Sequence, residues 1–362
     1  MSTAKEAVIL VPGFFAKAQD DYLDKLLTIG LTSRLENYRV DIEREPIKIA
    51  GQTGKRFIAH SQSNEEKTID IYEAYWLDLM EKLGEKTPKE QLVRGLYLFI
   101  YCFTFKFWLM AKQSRVLFFQ LMIVMFLVVL WYYGIVAVTL TAIGKAPDTL
   151  GFPLPPDWAT TLGQIGQRMG GWSGWVIASI LLNLLPTPVS VLVNQIDFTT
   201  RYLQDEAELE VGCVRDRIRL RIKMMLDDVL KHGDYEKVTL VGHSHGVTIA
   251  VDLLADYYNP TQIPIRLVSL GGLMELYSYK AQWVTEETTK CLNSSTVQEW
   301  NDYYSKQDWL CTKTPIPKSE NNQKFKSNLI RFKAPLSKQL SGETHISYFF
   351  DQIVLEDLLN FK

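Results

Sequence analysis

The stretch VTLVGHSHGVTIA, residues 238 to 250, constrains the fold of this chain more than any other. Val238, Leu240 and Val241 form a short apolar run rich in β-branched residues, led in by the turn-like His232-Gly233-Asp234. A run of this kind predicts a buried strand. From Val247 onward, Ile249, Ala250, Val251, Leu253, Leu254, Tyr257 and Tyr258 keep apolar residues three and four apart until Asn259-Pro260. That pattern predicts a helix of about three turns. Gly-x-Ser-x-Gly alone is a common accident, so the setting has to decide what Gly242-x-Ser244-x-Gly246 means. Strand, sharp turn, helix is the arrangement of a nucleophile elbow. The turn lifts the Ser244 hydroxyl above the strand ends, and the flanking glycines let strand and helix pack closely. The helix N-terminus points its dipole at the place where negative charge would develop.

In this setting the segment resembles the α/β-hydrolase superfamily, whose lipases and esterases carry such an elbow. The resemblance implies an α/β fold with a mostly parallel sheet flanked by helices, and a triad in the chain order Ser, acid, His. A serine hydroxyl is a poor nucleophile without a neighbouring base. Of the five histidines only His243, His245 and His345 do not precede the elbow. The first two are immediate neighbours of Ser244, and adjacent side chains on a tight turn diverge. His345 remains, in GETHISYFF, after LIRFKAP (residues 329 to 335), which reads as the final strand. For the acid, VQEWNDYYSKQDWLC reads as a strand from Val297 to Tyr304 followed by a short loop holding Asp308. Asp308 matches the family position just past the strand that follows IPIRLVSLGG. Asp302, within the strand, is the alternative, while Asp252 and Asp256 ride on the helix after the elbow and project away. Two backbone N–H groups would hold the oxyanion. One is the amide of His245. The other comes from AVILVPGFF, where a buried strand, Val8 to Val11, runs into Pro12-Gly13-Phe14-Phe15. This resembles the His-Gly turn of lipases with Pro12 in place of His, and it implies the Phe14 amide as donor. The strand would then be the family's third, with the usual first two missing. The resemblance covers about residues 7 to 90 and 200 to 362, and it implies neither metal nor cofactor.

Composition shifts sharply in mid-chain. From Val116 to Ile143 there is no charged residue and one strongly polar one, Gln120. As a helix this stretch would reach about 42 Å, beyond the roughly 30 Å hydrocarbon core of a bilayer. A second uncharged stretch, Trp172 to Val193, is interrupted by Asn183, Pro186 and Pro188. The aromatic stretch Gly95 to Phe105 is too short to span and fits an interface or a packed surface. A site assembled from residues before 90 and after 240 needs an even number of crossings between them, and two spans supply it. The linker Gly144 to Gly171 carries Lys145, Asp148, Asp157 and Arg168, whereas Arg94, Lys106, Lys112, Arg115 and Arg201 flank the pair outside. The expectation is a multi-pass membrane protein with its hydrolase domain on the cytoplasmic side. Residues 1–91 and 200–362 would form one hydrolase domain, interrupted by a membrane-associated insertion at 92–199 with spans near 116–143 and 172–193.

The rest of the chain adds less. RDRIRLRIKMM (residues 215 to 225) reads as an amphipathic helix covering the sheet. IDIYEAYWLDL (residues 69 to 79) reads as a strand running into a helix, with Glu73 structural or a supporting partner of the site. Residues 313 to 338 are strongly basic and read as a solvated loop. Cys102, Cys213, Cys291 and Cys311 are scattered, with neither a CxxC pair nor metal-like spacing. A net charge of −2 gives no argument for nucleic acid, and no such partner is expected. The function expected is a membrane-anchored serine hydrolase that cleaves acyl esters of lipid-like, amphiphilic substrates at a bilayer. An acyl-thioesterase or amidase would use the same triad, and a non-catalytic membrane scaffold is the rival of another class. Oligomeric state is left open.

Overall fold

A computed structural model describes residues 5–63, 65–80, 88–103, 115–146, 154–170, 189–208, 212–316 and 323–361. The chain divides into two compact units, one of Met1–Glu81, Trp108–Ser114 and Asp197–Lys362, the other of Lys82–Phe107 and Arg115–Ile196.

The first unit is α/β, with a mostly parallel central sheet flanked by helices. Its strands, in chain order, are β1 (Lys5–Val11), β2 (Tyr38–Ile42), β3 (Ile47–Ile49), β4 (Gln52–Ser61), β5 (Glu66–Glu73), the two-residue pair β6 (Ala207–Glu208) and β7 (Gly212–Cys213), then β8 (Lys237–His243), β9 (Ile265–Leu270), β10 (Val297–Tyr304) and β11 (Phe325–Leu329). Nine of them make one sheet in the order β11-β10-β9-β8-β1-β5-β4-β2, with β3 on β4. The strands from β5 through β1, β8, β9 and β10 to β11 are parallel. Those in the middle, β1, β8 and β9, are buried at nearly every position, as expected of strands covered on both faces.

Register brings the strand ends level. Val11 pairs with Gly242, Leu10 with Glu73, His243 with Leu270, and Leu270 with Tyr303. The turns after β1, β8 and β10 therefore leave the sheet on one edge, the carboxyl ends of the parallel strands, where open α/β sheets bind ligands. The helix Val214–His232 lays Val214, Ile218, Ile222, Met225 and Val229 into the core, as its periodicity predicts, while Arg215 turns inward to Asp252.

Several expectations are corrected here. The sheet is not short beyond β5: the antiparallel β4, β2 and β3 extend it, contributed by residues after β1 rather than before it. The last strand is Phe325–Leu329, pairing with Trp300–Tyr304, and not residues 329 to 335. Ile330 and Phe332 are nevertheless buried, Ile330 with its amide still donating to the Tyr304 carbonyl at 2.8 Å and Phe332 edge-on to Tyr348 at 5.0 Å, so the alternation there reflects packing past the strand's end. This strand also takes up part of the basic stretch that reads as loop. Leu77–Leu79 is only a single 3-10 turn.

In the second unit, the helix Arg115–Lys145 packs against Pro156–Met169, with Ala137, Thr141 and Gly144 meeting Ala159, Gly163 and Gly166. Among the described residues no helix is long and apolar enough to cross a membrane. This overturns the expected multi-pass protein with a cytoplasmic hydrolase domain. The lack of charge near 116–143 accompanies close helix packing, in which small residues let two backbones approach. Of the second expected span, 172–188 lie outside the described residues. Its end opens the helix Val189–Gln204, which goes on to carry the buried ion pair of Asp197 with Arg201. Two spans are no longer available to the parity and charge-flank reasoning.

Candidate active site

Ser244 stands between β8 and the helix His245–Ala255 with φ 58° and ψ −125°. A side chain other than glycine in this region costs about 1–3 kcal/mol, and such strain collects at functional sites. The neighbours hold it in place: the Ser244 amide donates to the Leu270 carbonyl at 2.9 Å, and the Val247 amide donates to the Ser244 carbonyl at 3.1 Å.

The turn after β1 lies directly on this serine. A β-carbon added to Gly13 would fall 2.6 Å from Ser244 Cβ and 3.1 Å from its Oγ; one added to Gly246 would fall 2.2 Å from the Val11 carbonyl oxygen. Only glycine permits either approach. Trp76 Nε1 donates to the Pro12 carbonyl at 2.8 Å and fixes the far side of the turn. The Gly13 and Phe15 amides face the Tyr22 hydroxyl oxygen. Pro12 has no N–H, and the Phe14 amide is not among the groups beside the Tyr22 hydroxyl.

Asp308 and His345 come together. His345 Nδ1 donates to Asp308 Oδ2 at 2.7 Å, the Tyr348 hydroxyl donates to the same oxygen at 3.1 Å, and the Leu310 amide donates to Oδ1 at 3.1 Å. Both residues are buried. With the proton on Nδ1, His345 Nε2 is a lone-pair acceptor, and among the described residues this buried atom has no hydrogen-bond partner. His345 sits in the 3-10 segment Glu343–Phe350 rather than in an open loop. Its ring lies 4.7 Å from that of His243 and 5.5 Å from that of Phe15.

The remaining candidates have other partners. Asp302 accepts from the Ser269 hydroxyl at 2.6 Å, and Ser269 in turn accepts from Trp300 Nε1. Burial raises its carboxyl to about 6. Asp252 is clasped by Arg215 and accepts from the Tyr202 hydroxyl; Asp256 meets Lys290. Glu73 accepts from the Leu23 amide at 2.9 Å, and burial raises it to about 7. His245 lies among Phe14, Trp76, Phe198, Tyr202 and Tyr277, its Nδ1 3.1 Å from the Tyr277 hydroxyl, and burial lowers it to about 3. His243 is held well below the ordinary histidine range by burial first and by His345 second. Both neighbours of Ser244 are thus neutral near pH 7.

Sequence reasoning missed two residues at this edge, Tyr22 and Tyr348. Each touches a partner that only the folded chain brings near, and no local pattern marks them. A groove of about 400 Å³ opens at the opposite edge, between Lys237, Arg266, Glu299, Lys324 and Lys326. Arg266 is taken by Glu299 and Asp357, Lys326 by Glu299, and Lys324 by the Ser294 carbonyl; this groove holds no nucleophile. Compared with family models, curated proteins and solved structures, the chain matches none.

Proposed function

We propose that the protein is a serine hydrolase of the α/β-hydrolase type that cleaves acyl esters. The observation that carries this reading is a strained, elbow-borne Ser244 whose preceding residue, His243, bonds the carbonyl of His345, a residue buried with Asp308 and unengaged at Nε2. In this reading Ser244 Oγ attacks the ester carbonyl carbon while His345 Nε2 takes the hydroxyl proton. The negative oxygen is held by the amides of Phe14 and His245, and the dipole of the helix beginning at His245 adds to them. The intermediate collapses, the C–O bond to the alcohol breaks, and His345 returns its proton to the leaving oxygen. Water, deprotonated by the same nitrogen, then attacks the acyl-enzyme and frees the acid and Ser244. Asp308 keeps the proton on Nδ1 throughout.

The amphiphilic substrate expected from a membrane anchor loses that support with the spans. What favours an apolar acyl group is Phe15, 46% exposed with its ring 5.5 Å from His345. A fluorophosphonate probe, which reacts only with an activated serine, tests the reading. Labelling of the wild type and none of Ser244→Ala is expected. An unlabelled wild type would leave a hydrolase fold without hydrolysis, and labelling that survives the substitution would move the nucleophile elsewhere.

A further inference from the structure

Two histidines flank Ser244, and the hydrolysis just described uses neither imidazole. His243 is nonetheless engaged at both nitrogens: Nε2 lies 2.7 Å from the His345 carbonyl oxygen and Nδ1 lies 3.1 Å from the Tyr22 hydroxyl. One group fixes the direction of the whole chain. A carbonyl can only accept, so Nε2 carries the proton of the neutral ring. Nδ1 is then an acceptor, and the Tyr22 hydroxyl must donate to it. The Tyr22 oxygen is left to accept, and the amides of Gly13 and Phe15 face it. Both His243 nitrogens and the Tyr22 proton thus have a single assignment, in a buried setting where an unmet one would cost about 1–3 kcal/mol.

We propose that Tyr22 and His243 are positioning residues that tie the oxyanion turn, the elbow and the His345 turn into one register. At one end, the Tyr22 hydroxyl lies beside the backbone of Gly13 and Phe15 and would hold that turn with the intervening Phe14 amide left for substrate. At the other, the bond to the His345 carbonyl fixes that residue's backbone, while Asp308 fixes its ring. Tyr22 is itself anchored, since Glu73 at the end of β5 receives the amide of the next residue, Leu23. Oxyanion donor and general base sit on turns far apart in the chain, and catalysis tolerates little relative displacement between them. This assignment of roles rests on the serine-hydrolase reading; the bond pattern does not.

Tyr22→Phe keeps the ring and removes the hydroxyl. With a p-nitrophenyl acyl ester, kcat should fall at least about tenfold with KM nearly unchanged and thermal stability nearly retained. A smaller fall in kcat, or one expressed in KM, would overturn the proposal. An independent readout is histidine-selective ¹⁵N NMR of the full chain at pH 7. His243 should be the Nε2–H tautomer, and Tyr22→Phe should shift the Nδ1 proton of His345. An Nδ1–H tautomer at His243, or an unmoved His345 signal, also overturns it. If the wild type hydrolyses no ester and takes no fluorophosphonate, the hydrolase reading fails by itself, and the NMR result still decides whether the chain of bonds exists.

Discussion

At the scale of single residues, Ser244 carries strain and, in the proposed reading, the chemistry, and two substitutions separate them. Ser244→Ala removes the hydroxyl and keeps a β-carbon at φ 58°; ester hydrolysis should drop by about 10⁶, and retention of more than about a hundredth would exclude Ser244 as nucleophile. Ser244→Gly should be equally inactive but more stable than the wild type by about 1 kcal/mol, because glycine adopts this backbone without penalty. Equal melting temperatures for the two variants would mean that the elbow stores no strain. The acids are told apart in the same way. Asp308→Asn should cost roughly 10⁴ in kcat by allowing the wrong tautomer at His345, whereas Asp302→Asn, facing Ser269, should cost less than about tenfold. The reverse ranking would transfer the orienting role to Asp302.

At the scale of elements, the turn after β1 and the elbow after β8 act as one piece, because backbone meets side chain at Gly13 with no room between. Gly13→Ala drives a methyl group into Ser244. It should destabilise the fold by about 1–3 kcal/mol in denaturant unfolding and lower kcat/KM by about 10² or more; unchanged kinetics would argue that this turn holds no oxyanion. Legibility in the sequence varied at this same scale. The strands β1, β8, β9 and β10 and the helix Val214–His232 could be read because burial forces their residue types. Val297–Tyr304 is found where its pattern predicts it. The antiparallel strands β2, β3 and β4 left no such trace: exposed Arg39 and Lys48 and half-exposed Asp41 and Lys55 dilute their apolar signal. Residues 329 to 335 misled for the opposite reason, since Ile330, bonded to Tyr304 at the strand's end, and Phe332, packed on Tyr348, are buried past the paired residues. In the site, Ser244, Asp308 and His345 could be proposed from residue type and chain order. Tyr22 could not, because its partner His243 is 221 residues away. The expected membrane spans overreached: among the described residues no helix is long and apolar enough to cross, and absence of charge alone does not say what a helix packs against.

For the molecule as a whole, buried carboxyls set how stability responds to pH. Glu73 is raised to about 7 and Asp302 to about 6, in both cases chiefly by burial. The folded chain therefore binds these protons more tightly than the unfolded one. Their contribution is fully present below the ordinary carboxyl range of about 4 and is lost as pH rises through about 6 and 7. Glu73→Gln removes one share of that loss, at most about 3.5 kcal/mol. The gap in melting temperature between variant and wild type should thus move in the variant's favour from pH 5 to pH 8; a gap independent of pH would mean that Glu73 ionises freely in the folded state. The sheet itself has a further consequence. β1 lies between β5, from its own stretch of chain, and β8, which returns only at Lys237. The two covalent arms of the first unit are therefore laced together by backbone hydrogen bonds down the centre of the sheet. A single protease cut between residues 82 and 196 would leave two fragments still travelling as one particle. Ser244 from one fragment would remain seated on Gly13 from the other, and the cut would show only when denaturant unlaced the strands.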